Sequence, residues 1–115
     1  MEIQQKQIDP DIAALELSGR MVMGRESQRI EWIIEDLLKH NCKKVVFDLA
    51  NVSYIDSAGV GILVGCTGKL KATGGQLRVA GATGRVMEIF RLTGVDRVLL
   101  LDETMAAACA GLGEA

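Results

Sequence analysis

The sequence has little that could bind a metal ion or build a disulfide framework. It contains one histidine, His40, and three cysteines, Cys42, Cys66 and Cys109, among 115 residues. The number of cysteines is odd, no two of them form a C-x-x-C motif, and the spacing typical of metal ligands is absent. We therefore predict no metal site, and we expect reduced thiols in a reducing compartment.

The chain also lacks a strong charge excess and long apolar runs. Its formal net charge is -2, and its basic residues are scattered, with Lys43 and Lys44 as the only adjacent pair of Lys or Arg. This balance gives no reason to expect direct binding to nucleic acid or to an anionic membrane. No apolar stretch approaches the length of a membrane span, and residues 1–7 lack the apolar core of a signal peptide. We expect a cytoplasmic protein without a membrane partner.

The chain does have the composition of an ordinary globular domain. Apolar residues make up 49% and charged residues 24%, and a domain of this length buries roughly two-thirds of its unfolded surface. The segment from Ile12 to Leu17 reads as a strand, and the weakly alternating segment from Glu2 to Ile8 can pair with it. Because Asp9-Pro10-Asp11 between them favours a tight turn, we predict an N-terminal hairpin.

A helix and a buried strand follow the hairpin. The apolar stripe of the helix has offsets 0, 3, 4, 7 and 8 and consists of Ile30, Ile33, Ile34, Leu37 and Leu38. This spacing predicts a helix from about Gly24 to His40, with Asn41 as a left-handed residue that ends it. The short run from Val45 to Leu49 is rich in β-branched and aromatic residues and predicts a buried parallel strand.

The second predicted helix carries two different stripes. One stripe is apolar and consists of Val60, Leu63, Val64 and Thr67. The other consists of Gly61, Gly65 and Gly68, and each glycine inside a helix costs about 1 kcal/mol relative to alanine. Because of that cost, we expect the glycine face to pack tightly against the sheet or the neighbouring helix.

The remaining segments complete an α/β pattern. After Gly74-Gly75 we predict a strand over residues 76–80, a third helix capped by Thr83 and followed by Gly94, a strand over residues 97–101, and a last helix capped by Asp102. Strands and helices therefore alternate after the hairpin. This order predicts a single mixed β-sheet with an N-terminal hairpin and about four helices packed against it.

The most informative segment joins the buried strand to the second helix and reads Val52-Ser53-Tyr54-Ile55-Asp56-Ser57-Ala58-Gly59-Val60-Gly61. Turns of this kind lie at the carboxyl edge of a parallel sheet, where α/β proteins usually place their sites. A helix that begins there has free N–H groups and a positive dipole end. Asp56 or Ser57 can accept hydrogen bonds from those groups, so a simple helix cap would also account for these residues.

The order of residues resembles the signature of STAS domains. In the anti-sigma factor antagonists this position reads Asp-Ser-Ser-Gly or close to it, and Asp56, Ser57 and Gly59 match, while Ala58 replaces the second serine. The resemblance continues in Leu17-Ser18-Gly19-Arg20, in Val45 to Leu49, in Gly74-Gly75-Gln76-Leu77 and in Phe90-Arg91-Leu92-Thr93-Gly94. We therefore expect one STAS-like domain over residues 1–115.

The resemblance implies that the protein works by binding a partner. The implied partner is an anti-sigma factor with serine kinase activity, and Ser57 is the residue that this kinase phosphorylates. The implied partner-binding residues are Ser53, Tyr54, Asp56, Ser57, Ala58 and Gly59.

One position departs from the family pattern. Antagonists usually carry an acid near the phosphorylation loop at the position that Val22 occupies here. Its loss favours a first alternative, a constitutive STAS scaffold in a larger signalling assembly. A small-molecule or nucleotide-binding STAS module is a second alternative.

The residues give little support to an enzyme. A serine nucleophile needs a general base, and His40 lies at the far end of the first helix. Neither Gly-x-Ser-x-Gly nor a Walker loop is present. Asp48 and Asp56 could be imagined as a Mg²⁺ pair, but backbone binding by Asp48 and orientation of the loop by Asp56 are favoured. We predict a protein without catalytic activity, cofactor or metal.

Overall fold

The computed structural model describes residues 1–113, which form five strands and four α-helices. In chain order these are β1 (Glu2–Asp9), β2 (Ile12–Met21), α1 (Arg25–Lys39), β3 (Lys44–Ile55), α2 (Ser57–Ala72), β4 (Gln76–Ala80), α3 (Gly84–Thr93), a 3₁₀ turn (Val95–Arg97), β5 (Leu100–Asp102) and α4 (Met105–Gly111). Within residues 1–113, no helix is both long enough and apolar enough to cross a bilayer.

The strands form one mixed sheet in the order β1-β2-β3-β4-β5. The hairpin of β1 and β2 is antiparallel, and β2, β3, β4 and β5 run parallel to one another. The predicted fold class, a mixed sheet with an N-terminal hairpin and four helices, is confirmed. The carboxyl ends of the four parallel strands therefore lie at one edge, from which the chain enters the helices.

Helices cover both faces of the sheet. On one face Ile30 of α1, Leu63 of α2 and Phe90 of α3 are fully buried together with Leu15 and Phe47 of the central strands. On the other face α4 forms a smaller apolar cluster, which consists of Ile12, Val46, Ala80, Ala108, Cys109 and Leu112. Because side chains alternate along a strand, neighbouring residues such as Val46 and Phe47 supply the two different cores.

The predicted ends of the helices are largely confirmed. Asn41 follows α1 with a φ of 60°, and Gly94 follows α3 with a φ of 79°, so both adopt the left-handed conformation expected after a helix. Thr83 occupies the position before α3, but its side chain makes no capping hydrogen bond there.

The strand β3 is longer than its apolar run suggested. Residues after Leu49 were expected to form a loop, yet β3 continues to Ile55. It does so beside β2, which continues to Met21. Two irregularities interrupt the β2–β3 register, and Arg20 then pairs with Tyr54 and Met21 with Ile55. Pairing with β2 supplies backbone hydrogen bonds to residues 51–55, and this contact with a distant segment extends the strand beyond its continuous apolar run.

Two expectations near the C-terminus were wrong. The last strand spans only Leu100–Asp102, because residues 95–97 form a 3₁₀ turn. Asp102 does not cap α4: its carboxylate forms an ion pair with Arg78, with an Nε–Oδ2 distance of 2.8 Å. Thr104 caps the helix instead, since its hydroxyl accepts the N–H of Ala107 at 3.1 Å.

Candidate functional site

The N-terminus of α2 is capped by Asp56. This residue has an extended backbone, with φ -100° and ψ -178°, and its Oδ1 accepts the N–H of Gly59 at 2.8 Å. The hydrogen bond from Gly59, together with further backbone bonds, holds the pKa of the Asp56 carboxyl below its ordinary value of 3.8. The carboxylate therefore stays ionised near neutral pH and orients the turn, as the sequence predicted.

Asp56 also ties α2 to the segment that leads from β2 into α1. Its Oδ2 accepts the N–H of Met23 at 3.0 Å. Its own backbone N–H donates to the carbonyl of Met21 at 3.2 Å. One residue thus connects the start of α2 to the end of β2 and to the start of the first helix.

Ser57 is the first residue of α2 and is exposed. The side chain is therefore accessible at the N-terminus of α2, next to the capping residue Asp56. The start of the helix agrees with the sequence, which indicated a helix beginning near Asp56 and Ser57. Solvent reaches the exposed Ser57 side chain in the folded protein.

Gly59 is buried against the end of β2. A Cβ atom built at this position would lie 2.6 Å from the carbonyl oxygen of Met21 and 2.7 Å from Cγ1 of Ile55. Neither contact can be relieved by turning a flexible side-chain tip, because one involves backbone and the other a fully buried residue. The glycine of the Asp-Ser-x-Gly motif is therefore required by close packing.

Ser53 and Tyr54 lie on the extended part of β3 instead of in a loop. The exposed Ser53 donates its hydroxyl to the carbonyl of Gly19 at 3.3 Å. The half-buried Tyr54 ring faces the guanidinium of Arg20 at 5.2 Å, a cation–π contact. Ala58 is half-buried.

The structure therefore brings the six predicted partner-binding residues to one edge of the sheet. It adds Arg20, Met21 and Met23, whose neighbours in space are distant in sequence. Of these three residues, only Arg20 was part of the family resemblance, and that resemblance did not assign Arg20 to the site.

The expected packing of the glycine stripe on α2 was wrong. Gly61, Gly65 and Gly68 are exposed, and a Cβ atom added at any of them would find no atom of another element within 4 Å. The apolar stripe of Val60, Leu63 and Leu70 faces the core instead. Spacing alone shows which residues share a face of a helix, but not which of two uncharged faces is turned inward.

Val22 lies in the segment that Asp56 holds. Its carbonyl accepts the hydroxyl of the buried Ser27, and the following residue, Met23, donates its N–H to Asp56. The position at which the family usually has an acid is therefore close in space to the Ser57 turn. In this chain an apolar side chain occupies it.

Possible metal ligands and thiols are not gathered at this site. Within residues 1–113 there is no group of three or more His, Cys, Asp or Glu side chains that could hold a metal ion. Asp48 accepts the N–H of Ala50 at 3.0 Å, in line with the favoured backbone-binding role. All three cysteines are buried, and burial raises the pKa of the Cys66 thiol to about 12.

Comparison with known proteins places the chain in a family. The family model of the STAS domain matches residues 4–108, so the chain belongs to the STAS domain family. A curated relative, the anti-sigma-B factor antagonist of Staphylococcus aureus, is 27% identical over 74 residues, which are 64% of this chain and 68% of the relative.

Solved structures share the fold. A proposed anti-sigma factor antagonist from Thermotoga maritima superimposes with a TM-score of 0.87 at 20% identity, covering 97% of this chain and 95% of the other. The Bacillus cell fate determinant SpoIIAA, solved in its phosphorylated form, superimposes with a TM-score of 0.75 at 16% identity, covering 95% and 98%. The chain therefore belongs to the STAS domain family and is similar to anti-sigma factor antagonists.

Proposed function

We propose that this protein is an anti-sigma factor antagonist that binds an anti-sigma factor with serine kinase activity and is released when the kinase phosphorylates Ser57. The observation that carries the proposal is the exposed Ser57 at the first position of α2, beside the capping carboxylate of Asp56. The phosphorylated form of SpoIIAA, which has the same fold, supports it.

The physical basis of the switch is a difference between folding and binding. A phosphate adds a charge near -2, and a helix N-terminus stabilises an anion by about 0.3–1 kcal/mol, which the neighbouring Asp56 carboxylate opposes. Folding is therefore little affected. An uncompensated charge in an interface costs about 3–5 kcal/mol, or roughly two to four decades in affinity.

The partner-binding face in this proposal consists of residues 53–59 and the exposed side of α2. Exposed glycines support this choice, because Gly61, Gly65 and Gly68 leave bare helix backbone that a partner can approach closely. These glycines lower the stability of the helix, and no close packing contact within the domain requires them. In this proposal they are explained by binding. The proposal includes a cytoplasmic location and no catalytic activity.

Val22 favours one alternative function. Because the acid usually present beside the phosphorylation loop is missing, the domain could bind its partners constitutively as a scaffold of a larger signalling assembly. The two functions differ in whether a negative charge at position 57 weakens binding.

The test compares Ser57→Ala and Ser57→Asp with the wild type. We expect the purified cognate anti-sigma factor to bind the wild type and Ser57→Ala with similar affinity and Ser57→Asp more weakly, as measured by calorimetry. The loss should be smaller than that caused by phosphorylation, because aspartate carries about half of the phosphate charge. Thermal melts of all variants should differ little, since alanine removes at most one hydrogen bond of about 1 kcal/mol.

A matched charge control is Gln5→Glu, which adds one negative charge on the exposed edge strand β1. We expect this variant to bind like the wild type. Equal affinities for wild type, Ser57→Ala and Ser57→Asp would place Ser57 outside the interface and would make the constitutive scaffold the better proposal.

A further inference from the structure

An open groove of about 340 Å³ runs between α1 and α2 and begins at Ala58, the residue after Ser57. Its lining includes Met23 and Glu31 on the α1 side and Gly61, Ile62, Gly65 and Lys69 on the α2 side. From Ala58 to Lys69 the α2 wall is roughly 16 Å long, at about 1.5 Å per residue. This length accommodates about three turns of a second helix.

The α1 side of the groove carries exposed apolar side chains. Met23 is 79% exposed and Trp32, the only tryptophan of the chain, is 69% exposed. Trp32 follows Gln28 by four residues and precedes Glu35 by three, so the three share one stripe of α1. Gln28 lines the groove and Glu35 pairs with Lys69, which also lines it, so Trp32 lies beside the groove on the exposed surface of α1, outside the lining itself. Tryptophan is one of the residue types enriched at the energetic centres of interfaces.

The charges of the groove are unbalanced. The ammonium of Lys69 forms an ion pair with Glu35 at 2.8 Å, which neutralises the positive charge at the far end. Glu31 makes no ion pair with any of residues 1–113. Burial is the main reason why the pKa of the Cys66 thiol is raised; the carboxylates of Glu31 and Glu35 raise it further, and the ammonium of Lys69 lowers it. Two carboxylates and one ammonium therefore act on the groove, and their net charge is negative.

We propose that this groove binds a basic amphipathic helix of the partner protein. The apolar side chains of that helix contact Met23, Trp32 and Ile62, its backbone approaches the bare α2 wall, and a lysine or arginine pairs with Glu31. The inference rests on the proposed function, since the helix belongs to the anti-sigma factor that contacts Ser57. It adds the side of α1 and the chemistry of the occupant to that interface.

The test uses two synthetic probes instead of the whole partner. One is a capped amphipathic helical peptide of about 18 residues built from Leu, Ala and Lys, and the other has Glu in place of every Lys. Each is titrated into the 115-residue protein while the emission of Trp32 is recorded. We expect a saturable blue shift with the lysine peptide and none with the glutamate peptide over the same concentrations, because like charges oppose the latter.

Charge variants separate the groove from the overall charge of the protein. Glu31→Lys should lower the affinity for the lysine peptide by about two- to fivefold, which is the range of an exposed ion pair. The same variant should raise the affinity for the glutamate peptide. The control Glu103→Lys makes the same change in net charge at an exposed residue between β5 and α4 and should leave both affinities unchanged. Trp32→Ala should bind the lysine peptide at least about fivefold more weakly than the wild type does, as measured by calorimetry.

Three outcomes would overturn the inference: no saturable binding of the lysine peptide, equal effects of Glu31→Lys and Glu103→Lys, or binding without a change in Trp32 emission. Circular dichroism verifies that each variant is folded. Because the peptides include neither a kinase nor a phosphate, this experiment can fail while the Ser57 switch holds, and the reverse is equally possible.

Discussion

The carboxylate of Asp56 accepts the backbone N–H of Met23 at 3.0 Å, across 33 positions of sequence. Its second oxygen accepts the N–H of Gly59 and caps α2. The residue beside the proposed phosphorylation site therefore fixes the start of α2 and the exposed Met23 relative to each other. Both lie at the near end of the groove, so Asp56 positions the surface that we propose for the partner.

Substitution of this carboxylate should change the pH dependence of stability. Asp56→Asn keeps one oxygen for Gly59 but turns an amide donor toward the N–H of Met23, so we expect a loss of about 1–2 kcal/mol near pH 7. The folded pKa of Asp56 is depressed below 3.8. Its stabilising effect is therefore present above about pH 4 and is lost as the pH falls through the folded pKa.

The measurement for Asp56→Asn is urea unfolding of both proteins from about pH 7 to about pH 3. The difference in free energy of unfolding should shrink toward zero at the acidic end. A difference that stays constant over this range would show that the ionised carboxylate is not the stabilising form.

Two glycines of α2 should respond in opposite directions to the same substitution. Gly59→Ala should lower the free energy of unfolding by about 1–3 kcal/mol, because its Cβ would overlap the carbonyl of Met21. Gly68→Ala, with no neighbour within reach of the new atom, should raise it by about 0.5–1 kcal/mol. Urea titrations of both variants test this prediction. If both substitutions changed the free energy of unfolding in the same direction, the packing described for Gly59 would be contradicted.

The exposed glycines near Ser57 should show a conflict between stability and binding. Gly61→Ala and Gly65→Ala should each stabilise the isolated protein by about 0.5–1 kcal/mol, since nothing opposes the added methyl group. Each should weaken binding of the cognate anti-sigma factor by about fivefold or more if the partner approaches the helix backbone. Calorimetry and thermal melts on the same samples measure both effects, and unchanged affinity would remove this side of α2 from the interface.

The ion pair below α4 should be sensitive to the loss of one partner. Arg78 and Asp102 are joined by Nε–Oδ2 and Nη2–Oδ1 contacts of 2.8 and 3.3 Å, and their side chains are 20% and 13% exposed. Arg78→Met leaves the Asp102 charge largely buried and should cost about 3 kcal/mol. Arg78→Met combined with Asp102→Leu should be less destabilising than Arg78→Met alone, and a larger loss in the double variant by urea unfolding would refute this account.

The sequence by itself determined the elements whose signals are local. The apolar spacing of Ile30, Ile34 and Leu37 identified α1, and Asn41 marked its end, because both depend on residues within a few turns of one another. The Asp56-Ser57-Ala58-Gly59 order located the start of α2 and the candidate site for the same reason. The mixed sheet followed from the alternation of such elements along the chain.

Only the tertiary structure decided which surfaces are exposed and which distant residues meet. The extension of β3 to Ile55 depends on β2 beside it, the partner of Asp102 is Arg78 on the neighbouring strand, and the need for glycine at position 59 comes from Met21. The glycine stripe of α2 faces outward because the opposite stripe fills the core. These outcomes depend on contacts between segments far apart in the chain, and no periodicity within a single segment encodes them.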